Sequence, residues 1–248
     1  MIAARKIREL KFWVDNRDNT RGSMKKMPPE VYTPLIKEAH THGMIVHAHA
    51  TNLQDQKGMV KAGVDVLIHT LVAEKVADIR AGKTWLPSGP CSAPASGQFT
   101  QREENLKYNF PRYIAAGARI VLGADAGVSA KYSSGFAEHH ELGMYVRLGL
   151  TPAEAIVAST SRPTEVLRSK DTGTLAKGKR ADFIVLNANP LENIRNTREI
   201  DSVYLYGAKL DREALQTKFK QAVVDRDAAQ AKAKRDYVPH PSSRRPFE

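Results

Sequence analysis

Apolar runs ending in a metal-capable side chain recur along the chain: Met44-Ile45-Val46-His47-Ala48-His49, Val64-Asp65-Val66-Leu67-Ile68-His69 and Arg119-Ile120-Val121-Leu122-Gly123-Ala124-Asp125. Each follows a stretch of helical character closed by glycine: residues 29–42 before Gly43, 53–62 before Gly63, and 103–116 before Gly117. A short apolar run bounded by glycine reads as a buried parallel strand. Helix, glycine cap and strand in series read as βα units laying down a parallel sheet. In an α/β barrel the strand C-termini carry the chemistry, so two His and one Asp delivered there suggest a metal centre.

Five barrel strands are predicted, at residues 10–14, 44–48, 64–69, 84–87 and 119–123. A closed (β/α)₈ barrel needs eight strands in about 250 residues. Three units of roughly 30 residues each are missing from the front. The expectation is an α/β chain holding a partial TIM-type barrel of about five units over residues 1–168. Residues 171–178 form a turn-rich link, and 181–186 and 200–206 read as strands of a small β element within 169–211. An isolated strand pair is marginally stable and needs a partner. Residues 212–236 read as a solvated helix and 239–248 as a disordered tail.

Composition narrows the class. The 248 residues are 42% hydrophobic and 26% charged, an ordinary globular balance. A single cysteine, Cys91, rules out an intrachain disulfide, and no apolar run approaches the roughly 20 residues of a membrane span. The N-terminus lacks a sustained apolar segment, so a cytoplasmic location is expected for the chain as written. The net charge of +11 raises the question of nucleic acid. Residues 212–248 carry nine Lys or Arg against five Asp or Glu, about a third of the excess, and the remainder is scattered. No basic stripe with interleaved aromatics appears, so no nucleic-acid partner is expected. Phosphate-cradling glycine loops and a Gly-x-Ser-x-Gly elbow are both missing from the sequence.

The stretch Val46-His47-Ala48-His49, the Ile68-His69 strand end, and Leu122-Gly123-Ala124-Asp125-Ala126-Gly127 occur in an order also followed by Glu141-Leu142 and Gly149-Leu150-Thr151-Pro152-Ala153-Glu154-Ala155. With Gly173-Thr174-Leu175 and Gly178-Lys179-Arg180-Ala181-Asp182-Phe183-Ile184-Val185-Leu186, this series resembles the amidohydrolase superfamily from about Leu10 to Gly207. The subgroup it most resembles is the imidazolonepropionase-like one, with its related metal-dependent dipeptidases. The resemblance implies that His47 and His69 are metal ligands ending the fifth and sixth barrel strands. It implies that Asp125 is the ligand and proton carrier ending the eighth, and that Lys11 is a fourth-strand lysine carboxylated to bridge two metals. The family's first-strand His-x-His pair has no counterpart here. The implied activity is hydrolysis of a carbon–nitrogen bond, in a cyclic amide or a dipeptide-like small molecule, by a metal-activated water. Zinc is the leading cofactor, with one or two ions in the full site. The alternative is a catalytically inactive remnant that serves as a binding or assembly module; a homo-oligomer stays open.

Other residues keep two readings. Lys11 either is carboxylated or snorkels to solvent. By the period-2 rule His49 shares a strand face with His47, where it contacts substrate, supports the site or packs. His139 and His140 follow a Gly- and Ser-rich loop after Asp125, and either touch substrate at the barrel mouth or line a solvated helix face. His40 and His42 cap helix carbonyls or face water. Cys91 reads as a loop residue within a Ser-, Gly- and Pro-rich stretch, 87–100, that shapes substrate selection. His240 lies in the tail.

Overall fold

The computed structural model describes residues 7–15, 17–18, 22–23, 25–50, 52–68, 75–76, 85–88, 98–126 and 135–236. They divide into two compact units, Met1–Arg180 with Leu186–Ile200, and Ala181–Val185 with Asp201–Glu248.

In the first unit β1 (Glu9–Trp13) is followed by a short antiparallel pair, β2 (Arg17–Asp18) and β3 (Gly22–Ser23). Then come α1 (Pro29–Thr41), β4 (Ile45–His49), α2 (Leu53–Ala62), β5 (Val66–Ile68), β6 (Trp85–Ser88), α3 (Gln98–Ala115) and β7 (Arg119–Leu122). Helices α4 (Ala137–Arg147), α5 (Pro152–Ser159) and α6 (Ser161–Val166) and a 3-10 turn, Ile194–Arg198, complete it. The main sheet has the order β1-β4-β5-β6-β7, every pair parallel and each strand beside the next strand of that sheet in chain order. A mixed α/β architecture is therefore observed, with all five predicted strands at or within two residues of their expected starts.

Local chemistry explains the repeated helix-to-strand step. Helix α1 starts with Pro29 in its first turn and buries Tyr32, Ile36 and Ala39, one stripe at helical spacing. Asn52 caps α2 by accepting the Asp55 N–H. After α1, α2 and α3 the chain turns through a left-handed glycine, Gly43, Gly63 and Gly117, at φ +68°, +92° and +74°. In each case the N–H of the following residue returns to a carbonyl five positions back, as Val64 does to Met59 at 3.1 Å. This double closure ends the helix and aims the chain back into the sheet. Helix α3 begins five residues before its expected start, because Gln98 to Arg102 present no apolar stripe to read from sequence.

Strand alternation gives the sheet two faces. Phe12, Val46, Ala48, Leu67 and Ile120 pack against Tyr32, Ile36, Met59, Phe110 and Tyr145 of the helices. Ile45, Val66 and Val121 form a second, smaller cluster with Val166. Lys11 and His47 belong to the Ile45 side.

In the second unit β8 (Phe183–Leu186), β9 (Ile200–Leu205) and β10 (Ala208–Lys209) form a three-stranded sheet of order β10-β9-β8. Two residues, Tyr206 at φ +52° and Gly207 at φ +80°, close the β9–β10 hairpin. A two-residue hairpin with both φ positive matches strand twist. The third strand, unread from the sequence, supplies the partner that the expected pair required. Phe183 and Tyr204 stack with ring centroids 4.5 Å apart. Helix α7 (Arg212–Asp236) is solvated along its described length. Among the described residues, no helix is long and apolar enough to cross a membrane.

Candidate active site

Lys11 stands in the middle of β1, directly opposite His47 of β4, which in turn lies opposite Val66 of β5. One level further along, Trp13 is opposite His49 and His49 opposite Ile68. Parallel strands with this register bring the lysine and both imidazoles to the same sheet face, towards the outgoing strand ends.

His47 is inward and mostly buried, its side chain 15% exposed. Among the described residues its Nε2 has no hydrogen-bond partner, and it lies 3.4 Å from Glu9 Oε2. Burial pushes the His47 pKa below the ordinary imidazole value, and Lys11 acts in the same direction; Glu9 and Asp65 oppose them. At neutral pH the ring is therefore neutral, and a neutral imidazole is the form that binds metal. A buried ring nitrogen without a hydrogen bond, beside a lysine, fits a divalent cation as a donor.

His49 is held by Trp13 and Asp15. The Trp13 ring stacks on it at 3.5 Å between centroids and 16° between planes, and its Nε2 is 3.4 Å from Asp15 Oδ2. Both members of that imidazole–carboxylate pair are buried. Of its open readings, packing and support have a visible basis: the Asp15 contact fixes the ring orientation beside His47.

Asp65 anchors the strand that carries His47. Its Oδ2 accepts the Val46 N–H at 2.8 Å and pairs with His40 Nε2 at 2.9 Å. His40 thus reaches across to Asp65 instead of capping a helix carbonyl. His42 pairs with Glu38 at 3.0 Å.

Asp125 lies beyond the outgoing end of β7, exposed and at φ +50°. Behind it, α4 contributes a buried polar pair. Tyr145 Oη is 2.7 Å from the Val121 carbonyl oxygen and 2.9 Å from Glu141 Oε1, while Gly123 N–H faces the same Oε1 at a long 3.5 Å. On the outer part of α4, His139 Nδ1 lies 2.9 Å from Thr197 Oγ1, and His140 is exposed. Burial holds the His139 pKa below the ordinary value, assisted by Arg198 and opposed by Glu138.

The structure thus brings together Lys11, His47 and His49, and places Asp125 on a turn at the end of another strand of the same sheet. His69, the third expected imidazole, lies outside the described residues, as do Cys91, His240 and residues 89–97 of the expected substrate loop. Among the described residues, no three His, Cys, Asp or Glu side chains are grouped closely enough to hold a metal ion. Sequence reasoning missed Glu9, Asp15, Asp65 and Glu141 as parts of this neighbourhood. Only Glu141 left a local signal, a carboxylate four residues before Tyr145 on the buried stripe of α4.

Comparison with known proteins finds similar chains and similar folds. The sequence profile of the amidohydrolase family matches residues 20–210. Imidazolonepropionase of Deinococcus deserti is 32% identical over 178 residues, covering 66% of this chain and 40% of the relative. Ochratoxinase of Aspergillus niger is 31% identical over 193 residues, covering 71% and 39%. The chain spans about two-fifths of the length of these curated relatives. Among solved structures, phenylurea hydrolase B superposes with a TM-score of 0.70 at 25% identity, covering 86% of this chain and 55% of the other. A Xaa-Pro dipeptidase with methionine bound in its active site shares the fold, with a TM-score of 0.65 at 22% identity over 82% and 54%.

Proposed function

The chain belongs to the amidohydrolase family, and from that premise we propose that it is the C-terminal part of a metal-dependent hydrolase acting on the carbon–nitrogen bond of a small amide or dipeptide-like substrate. Its five-stranded sheet is read as part of a (β/α)₈ barrel over residues 1–168. Residues 169–211 then provide strands of the family's β domain, and 212–248 a basic extension. The observation that carries the reading is the placement of Lys11 opposite the buried, neutral His47 on one face of the parallel sheet.

Lys11 and His47 would hold a divalent ion, zinc being the first choice, together with His69 and Asp125. Such an ion supplies Lewis acidity that activates water at neutral pH and polarises a carbonyl. Asp15 keeps the His49 ring fixed under Trp13, so that face of the site stays ordered. Asp125, as a carboxylate, takes a proton at Oδ as water attacks the substrate carbonyl carbon, and returns it to the leaving nitrogen. His139 and His140 lie on the helix that follows and are assigned to substrate contact.

Metal analysis tests the proposal. Zinc titration of the purified chain is expected to show tight binding that falls at least about tenfold in His47→Ala, the scale on which loss of ligand-shell interactions acts. Equal binding by parent and variant would remove His47 from the site. A chain that takes up no Zn²⁺, Mn²⁺ or Co²⁺ would instead support the remnant reading.

A further inference from the structure

We infer that Glu141 and Tyr145 form a buried clamp that sets the backbone presenting Asp125, a positioning role that rests on reading Asp125 as the proton carrier. The two side chains stand four apart on α4 and meet at 2.9 Å. Tyr145 is fully buried and Glu141 is 4% exposed. A buried carboxyl is expensive to keep where an apolar side chain would fill the space, so packing alone does not account for it.

What the pair touches gives its purpose. Tyr145 Oη reaches the Val121 carbonyl at 2.7 Å, and Glu141 Oε1 faces the Gly123 N–H at 3.5 Å. These two backbone groups bracket Leu122, the last residue of β7. Among the described residues β7 ends the sheet and has β6 as its ladder partner, so its outgoing end is steadied from one side by the sheet and from behind by α4. Two residues beyond Gly123, Asp125 adopts φ +50°. A residue with a Cβ enters that region at a steric cost and persists there when its surroundings fix the flanking backbone. The clamp fixes the incoming flank, and the direction of the Asp125 carboxyl follows from it.

The test uses the full chain with Glu141→Ala, Glu141→Gln and Tyr145→Phe, each checked for folding by circular dichroism. Asp125 Cα and Cβ chemical shifts report its left-handed backbone, and amide exchange at Gly123 reports the flank. Glu141→Ala is expected to lose the left-handed shifts and accelerate that exchange. On a panel of N-acyl amides and dipeptides with Zn²⁺ present, kcat should fall about 100-fold, the cost of a misplaced group, and Zn²⁺ affinity should fall with it because Asp125 is also counted among the ligands, while KM stays near the parental value. Glu141→Gln should recover most of kcat, because an amide oxygen in the place of Oε1 still accepts from the Gly123 N–H and still faces the Tyr145 hydroxyl. Tyr145→Phe removes a single hydroxyl and should repeat the changes in smaller degree, which covers the case in which Glu141→Ala does not fold. Unaltered Asp125 shifts in Glu141→Ala, or in Tyr145→Phe where the alanine variant does not fold, overturn the clamp. So does equal damage from Gln and Ala. A parent chain that binds no Zn²⁺ and turns over no amide would sink the hydrolase reading instead, and the chemical shifts would still decide the clamp.

Discussion

Replacing Asp65 by alanine separates two interactions that share one carboxylate oxygen. Asp65 Oδ2 accepts the Val46 N–H at 2.8 Å and meets His40 Nε2 at 2.9 Å. The first partner belongs to a fully buried residue, and the second pair is more than one-third exposed on both sides. An exposed ion pair of this kind contributes about 0–1 kcal/mol. Leaving the amide of a buried residue without its acceptor costs about 1–3 kcal/mol. The backbone interaction therefore wins, and Asp65→Ala should lose roughly 1–3 kcal/mol in urea denaturation while His40→Ala loses under about 1. Asp65→Asn keeps an acceptor oxygen and should fall nearer the parent than the alanine variant. Because Val46 immediately precedes His47, Asp65→Ala should also speed exchange of the Val46 amide and weaken zinc binding. If His40→Ala proves as damaging as Asp65→Ala, or Val46 exchange does not respond, the reasoning fails.

Acid stability should carry the signature of His139. Its pKa is lowered in the folded state from the ordinary 6.5, chiefly by burial. The unfolded chain therefore takes the proton first, so this contribution is intact above pH 6.5 and is lost as pH falls through that value towards the folded one. His139→Gln should flatten stability against pH in that window, and an undiminished slope would count against the assignment. At the start of α5, Thr151 Oγ1 accepts the Glu154 N–H at 3.2 Å and Glu154 Oε2 accepts the Thr151 N–H at 2.8 Å. Thr151→Ala should cost about 1 kcal/mol by thermal denaturation and Thr151→Ser much less; equal effects would argue against the cap.

Local pattern made most of the scaffold legible. Helix α2 is observed at Leu53–Ala62, as expected, because its information is local: an Asn cap before it and a glycine after it. Strand β4 was readable for a similar reason, an unbroken apolar run between Gly43 and the polar side chains that end it. Where local signals are weak the reading stopped short, as at the polar start of α3 and in β10, a two-residue strand too brief to show alternation. Lys11, His47 and Asp125 were visible as candidates through family resemblance and through their places beside apolar runs, although Lys11 and His47 prove to be the central residues of β1 and β4 and not strand ends.

Sequence alone determined that helices, glycine turns and buried strands would alternate, and which side chains could carry chemistry. Tertiary structure decided who meets whom. Lys11 stands opposite His47 because two strands pair in one register and not the next, where a one-residue slip would turn every side chain to the other face. Asp15 with His49, Asp65 with Val46, and Tyr145 with Val121 are 34, 19 and 24 residues apart in the chain. Periodicity reports which face of its own element a residue occupies. The partner on another element is fixed by how the sheet and helices pack together, and short-range pattern carries no record of that.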